Sequence, residues 1–446
     1  MQVFVSIGIV VVLIILATVK FKVHPVIALI GAGLFIGIAN SIPLVTVLEN
    51  MGVGFWKTIE NIGLLIVFGT FIGIILEKTG GARIIADSVV HLVGQKRAGL
   101  AMNLTGFVVA IPVFCDSGFI ILSSLRKRLS TKTGIASLVF SVALGTGLYA
   151  AHVFVPPTPG PLAAAEALGA DLGMVLLYGL LVAVPVSLVG YGWARWMGLK
   201  TAAHVPPEKG TKTIAKPIET VKKIPTWMAF MPLAIPLLLI ALNTIAVYPG
   251  NPMGTGLAFE LFTLLGKPIL ALGIGGILAL VLLSKGVSFK KHSQWLVLTL
   301  KQAGIIVLIT GAGGAFGAVL KSLALEQYLN FDANAPLAGL LIAFAIAAIL
   351  KTAQGSSTVA IITTAAIIAP LLTTMGLNEA LGRTFSVLAI GAGAMTFSHM
   401  NDSYFWVVAK FSEMDVKTAL RSHSMATLVQ GVTAMLLVLG LYSMLG

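Results

Sequence analysis

The chain has 446 residues, of which 57% are hydrophobic and only 10% charged. Soluble domains carry roughly 25% Asp, Glu, Lys and Arg, so this chain cannot cover a water-facing surface. Soluble, disordered and fibrous classes fall away together, and an all-α polytopic membrane protein remains, its formal charge of +13 to be explained by placement.

A hydrocarbon core takes about 20 residues of helix to cross. In chain order, apolar runs predict spans at 3–19, 24–40 and 61–77, an unusual stretch at 98–125, then spans at 134–151 and 172–196. A polar loop rich in Pro and Lys follows at 197–226. Beyond it come spans at 227–247, 267–284 and 304–320, a second unusual stretch at 335–370, and spans at 382–398 and 425–445. No cleavable signal stands out before the first run, and Cys115, the single cysteine, forbids an intrachain disulfide.

Threading the chain through these spans places 24 of the 29 Lys and Arg on one side. Lys57, Lys267, Lys321 and Arg383 fall on the other, and Lys351 lies inside an apolar stretch. The basic side is cytoplasmic. Both termini are then expected outside, in a multi-pass protein of the inner (plasma) membrane. The positive charge is a topology signal, so nucleic acid is not a partner; the lipid bilayer is.

The stretch 98–125 begins after Lys96-Arg97 and ends before Arg126-Lys127-Arg128, so both its ends are cytoplasmic. Two arms of about 14 residues reach roughly 21 Å each, too short to cross. A re-entrant hairpin with its tip near Val113–Gly118 fits this pattern; one long tilted helix is the alternative. The second half echoes the first. Each half has five spans, a long apolar stretch with a polar middle, and a Gly-x-Gly helix running into a histidine: Gly145 to His152, and Gly391 to His399. An odd number of spans inverts the second half relative to the first, as in many secondary transporters. The expected organisation is a first half at 1–199 (hairpin 98–125, broken helix 134–169), a cytoplasmic linker at 200–226, and a second half at 227–446. The latter holds hairpin 335–370, with its tip at 352–357, and broken helix 382–412.

Charge at the bilayer centre costs about 2.5–3.5 kcal/mol by insertion scales, so the few ionisable groups at depth are the candidate site. Asp116, with Ser117 and Gly118, sits at the first tip, where an Asp or Ser N-cap would leave amides free for an anion. From His152 onward, Pro156, Pro157, Pro159 and Pro161 forbid a continuous helix, and a break at depth must line a cavity or be buried in protein. Thr158 lies within that break. In the second half Gly355, Ser356, Ser357 and Thr358 offer hydroxyls and N-terminal amides. Asn401 and Ser403 suit substrate hydroxyls, while His399 and Asp402 can exchange protons. Lys351 can pair with an acid or with substrate, or extend toward the interface. Glu166 belongs at the outer interface.

Four segments carry a family resemblance: Ile111–Phe119, His152–Pro161, Thr352–Thr358 and Ser398–Asp402. In these the chain resembles the gluconate permease family of proton symporters over essentially its whole length. The resemblance implies proton-coupled uptake of gluconate or a related sugar acid, hairpins at the site and an elevator-like movement. Members also carry other polyhydroxy acids and D-serine. Gluconate-type members often have His where this chain has Thr158, which counts against a gluconate assignment and a proton role there.

Residues and resemblance together predict a secondary transporter for a small anionic substrate, with no metal and no cofactor. Asp116, Asp402, His152 or His399 would carry the coupling proton; sodium coupling is the rival, and a homo-oligomer is allowed. An enzyme is not expected. No Gly-x-x-x-x-Gly-Lys-Ser/Thr phosphate loop and no His-Glu-x-x-His motif occurs, and neither Asp116 nor Asp402 follows Gly-x-Gly.

Overall fold

A computed structural model describes residues 2–94, 97–201, 224–247, 254, 256–323 and 336–446. Among the described residues there is no strand. The first half runs α1 (Gln2–Val19), α2 (Pro25–Ala39), α3 (Leu44–Thr79), α4 (Gly81–Val93), α5 (Ala98–Ala110), α6 (Cys115–Thr133), α7 (Ser137–Phe154), α8 (Pro159–Leu168) and α9 (Leu172–Thr201). The second runs α10 (Thr226–Ala246), α11 (Leu257–Leu265), α12 (Pro268–Leu278, continued by a wider π turn), α13 (Phe289–Ser322), α14 (Pro336–Gln354), α15 (Ser357–Ile368), α16 (Ala380–Met395), α17 (Ser403–Phe411), α18 (Val416–Ala419) and α19 (Met425–Leu445). Most of the expected linker 200–226 lies outside the described residues.

All ten expected spans are helical. Among the described residues seven helices are long and apolar enough to cross, or eight if α11 and α12, bent by 75°, form one span. Of the predicted spans, α1, α2 and α16 are apolar but brief and α12 qualifies only together with α11, whereas α14, expected as an arm of the second hairpin, is itself long enough to cross. Conversely, α3 and α13 have 36 and 34 residues, so each is roughly 50 Å long, well beyond a 30 Å core. Hydropathy ended these two spans where Lys57, Glu60 and Lys301 appear. Glu and Lys are good helix formers, so backbone hydrogen bonding carries the helices past them.

α3 and α13 cross at small residues: a Cβ on Gly54 would lie 2.4 Å from Gly314 O. With α1, α2, α10 and α12 they make one layer. The hairpins α5–α6 and α14–α15, the broken helices α7–α8 and α16–α17, and α9 and α19 make the other. From Leu138 to Phe154 every residue of α7 is buried. The halves interlock, because α15 packs on α8 and α6 packs on α17. Each hairpin therefore lies against the broken helix of the opposite half.

Two boundaries differ from expectation. The first turn lies at 111–114, and Cys115–Gly118 is already helical, with Phe114 as N-cap. Pro112 ends the preceding helix by removing a donor, an effect that outweighs the polarity of Asp116 and Ser117. Asp116 is thus inside the first turn of α6 and is not its cap. Likewise α7 runs through His152 to Phe154. The break is Val155–Thr158, with Pro159 opening α8 where a missing N–H costs nothing.

Candidate transport site

Four helices begin at the turns and breaks: α6 and α8 in the first half, α15 and α17 in the second. Each start leaves N–H groups with no intrahelical acceptor and adds a partial positive charge. The starts form two pairs. Gly69, Thr70, Pro112, Phe114, His152, Thr158 and Pro159 surround a cavity of about 10 Å³ between the first turn and the first break. It has room for about one water molecule.

The second pair is tied together by charge. Lys351, 1% exposed, and Asp402, 4% exposed, form an ion pair with Nζ 2.5 Å from Oδ2. Lys351 also donates to Gly355 O, and Ser398 Oγ donates to the same Asp402 carboxylate. Asp402 caps α17 by accepting Tyr404 N–H at 3.0 Å. Asn401 Nδ2 donates to Thr352 O and Ala353 O at 2.7 and 2.8 Å, and His399 Nε2 lies 2.8 Å from Thr352 O. Gly355 has φ +83°, and a Cβ there would sit 2.2 Å from Asn401 O, so only glycine lets the turn meet the break.

An aromatic group joins the pairs. Tyr149 O–H and Ser357 Oγ are 2.5 Å apart, and the Tyr149 ring lies 5.7 Å from Lys351 Nζ. Tyr404 packs 5.3 Å from Tyr149 and 6.4 Å from Phe119 of α6, and donates to Gly145 O. Several buried polar atoms have no partner here: Asp116 Oδ1, His152 Nδ1, and both amide atoms of Gln354. Buried polar atoms in folded proteins are nearly always hydrogen-bonded, so each is an unused contact.

The expected residues thus lie in two neighbouring clusters, with some roles altered. Gly118 N–H is spent on Phe114 O, leaving the amides of Cys115, Asp116 and Ser117 as those open at the start of α6. Thr158 Oγ1 donates to Val155 O, and Ser356 is the N-cap of α15. Asn401 serves backbone carbonyls, whereas Ser403 is exposed. Lys351 pairs with an acid. Thr358 is half-buried on α15. Glu166 accepts from Asn61 Nδ2 and lines a second, larger cavity of about 720 Å³. The arrangement can bind an anion at helix starts and redistribute charge around Lys351.

A family model described as GntP family permease matches residues 1–445. The chain belongs to the GntP permease family. It is 32% identical to a gluconate permease from Pseudomonas aeruginosa, over 96% of this chain and 94% of that one. It is 33% identical to the high-affinity gluconate transporter of Escherichia coli, covering 95% of each. A D-serine transporter of Escherichia coli is 31% identical, again over 95% of each chain. In fold the permease is similar to the YdaH transporter of Alcanivorax borkumensis, whose crystal structure is described as having an unusual topology. The TM-score is 0.65 at 14% identity, covering 90% of this chain and 88% of that one. The permease is a membrane transporter, not an enzyme.

Several side chains central to this geometry escaped sequence reasoning. Tyr149 and Tyr404 sit in apolar helices and resemble ordinary core aromatics. Arg126 reads as a cytoplasmic charge, yet it is fully buried, bonding Ser137, Ser141 Oγ at 3.0 Å and Phe411 O at 2.9 Å. Asn103 joins Ala143 O, Thr146 and Ser187, and Gln430 donates to Thr146 O and Val186 O. A single polar residue in an apolar run could have drawn notice, but its partners lie 40 or more positions away.

Proposed function

We propose that the permease imports a polyhydroxy monocarboxylate of the gluconate type together with a proton. The observation that carries this reading is the set of unpartnered polar atoms, Asp116 Oδ1, His152 Nδ1 and the Gln354 amide, beside the buried Lys351–Asp402 pair. Substrate carboxylate meets the open amides of α6 and α15, and its hydroxyls meet Gln354, Thr358 and Ser117. The relatives named as gluconate carriers support the substrate class.

Coupling follows from charge balance. While Asp402 is ionised it neutralises Lys351, and a second carboxylate there is an uncompensated buried anion. A proton on Asp402 frees the ammonium for substrate. Anion and proton then enter together, and the loaded site carries no extra charge through the membrane. Asp116 is the second candidate proton carrier, with His152 and His399 as relays. In this reading the halves 1–199 and 227–446 face opposite ways, both termini lie outside, and the hairpin layer moves elevator-like against the α3–α13 layer. Such a movement would open the small cavity between the first turn and the first break toward substrate size.

The relative named as a D-serine transporter supports a second substrate, a zwitterion, for which Lys351 would remain paired. A thermal-shift screen of sugar acids, hydroxy acids and D-serine at two pH values separates the two. The proposal expects a sugar acid to stabilise the permease, more at the lower pH. Stabilisation by D-serine alone would overturn it.

A further inference from the structure

Lys and Arg are depleted on the non-cytoplasmic side of membrane proteins. Three of the four that the charge pattern places there, Lys57, Lys321 and Arg383, line one cavity of about 720 Å³. Its walls are α3 and α13 together with α8, α15 and the start of α16, which carries Arg383, and more than half of the lining is Gly, Ala, Ile and Leu. Its reach includes Ala163 and Ile362. Each is five residues, roughly 7.5 Å of helix, from Thr158 and Ser357 at the helix starts.

The cavity is cationic. Glu166 is the single carboxylate lining it among the described residues, and it is held by Asn61. Arg383 is fixed by neutral oxygens: Nε to Asn378 O at 2.6 Å, Nη2 to Asn378 Oδ1 at 2.7 Å, and Nη1 to Gly169 O at 3.3 Å. The ion pairs among the described residues are Lys78–Glu77, Lys127–Glu413, Arg128–Asp87 and Lys351–Asp402, so none of the three cations is neutralised by them. A concave surface of one sign with low-dielectric walls concentrates counter-ions and speeds their arrival.

We infer that this cavity is an outer vestibule that recruits the carboxylate of incoming substrate through Lys57, Lys321 and Arg383, then passes it inward along α8 to the start of α15. The inference rests on the carboxylate reading above. It assigns to these residues a loose first contact separate from the deep site, and it disfavours a free cation as the first species to arrive.

The test measures initial gluconate uptake into proteoliposomes at a fixed pH gradient, from about 20 to 300 mM inert salt, since a Debye length falls from tens of ångströms to a few over such a range. Wild type is compared with K57Q/K321Q and K57E/K321E; Arg383 is kept because its three bonds also hold the Asn378 and Gly169 loops. Wild-type KM should rise several-fold with salt. The Gln variant should show a several-fold higher KM at low salt and a flattened salt dependence, and the Glu variant should reverse its sign. A packing defect alone does not reverse it. A wild type that transports gluconate with salt-independent KM, or variants that keep the wild-type slope, would overturn the vestibule alone. A wild type that takes up no gluconate would overturn the substrate reading and this inference with it.

Discussion

Replacing Asp402 by Asn separates the two jobs of this side chain. As N-cap of α17 it accepts Tyr404 N–H at 3.0 Å, and Asn caps as well as Asp does. As counter-ion it faces Lys351 Nζ at 2.5 Å, with both side chains 5% exposed or less. Asn keeps the first job and loses the second. Removing one member of a buried pair costs about 3–5 kcal/mol, and with the cap intact the expected loss is about 3 kcal/mol. Asn also imitates a permanently protonated Asp402. Counterflow of substrate should therefore persist while accumulation driven by a pH gradient is lost. Thermal unfolding of wild type, D402N, K351M and the double variant reads the first effect. The double should be less destabilised than the sum of the singles by about 2–3 kcal/mol, the upper range for residues in contact. Strict additivity, or an Asn variant that still accumulates substrate against its gradient, would refute the coupling argument.

Other positions give sharp expectations. Gly355→Ala adds a Cβ against Asn401 O at a positive φ, so strain of about 1–2 kcal/mol is compounded by a backbone clash, and unfolding midpoint and uptake should both fall markedly. Arg126→Met abandons Ser137, Ser141 and Phe411 O, and charge-assisted bonds are worth about 1.5–3 kcal/mol each. Loss of thermal stability should be severe, and Arg126→Lys should recover only part because an ammonium cannot fork to all three. At the surface, a hydrogen bond and charge from Lys127 hold Glu413 below the ordinary carboxylate range. Its stabilisation is present above the unfolded value near pH 4.5 and lost as pH falls through the folded one. Exposed pairs contribute about 0–1 kcal/mol, so Glu413→Gln should shift unfolding little at pH 7.

What was legible in the sequence is what a local rule can carry. Apolar length located ten helices, and clustered prolines located the first break. The lengths of α3 and α13 were not legible, because hydropathy reports the solvent around a helix and not where its hydrogen bonds stop. The first turn was misplaced by a few residues because polarity at Asp116–Gly118 was weighed above Pro112. At the site, sequence picked Lys351 and Asp402 separately as costly charges, and only the fold shows that they pay for each other across 51 positions. Arg126 was hidden by its basic neighbours, and the cavity lined by Lys57, Lys321 and Arg383 is assembled from five helices that no single motif links.

The central claim is that one buried carboxylate, Asp402, couples proton entry to sugar-acid entry. Gluconate accumulation in proteoliposomes under an imposed inward pH gradient, with sodium absent, tests it most directly. Wild type should accumulate gluconate and stop doing so when the gradient is collapsed, and D402N should equilibrate without accumulating. Uptake that ignores pH and requires sodium would contradict the account.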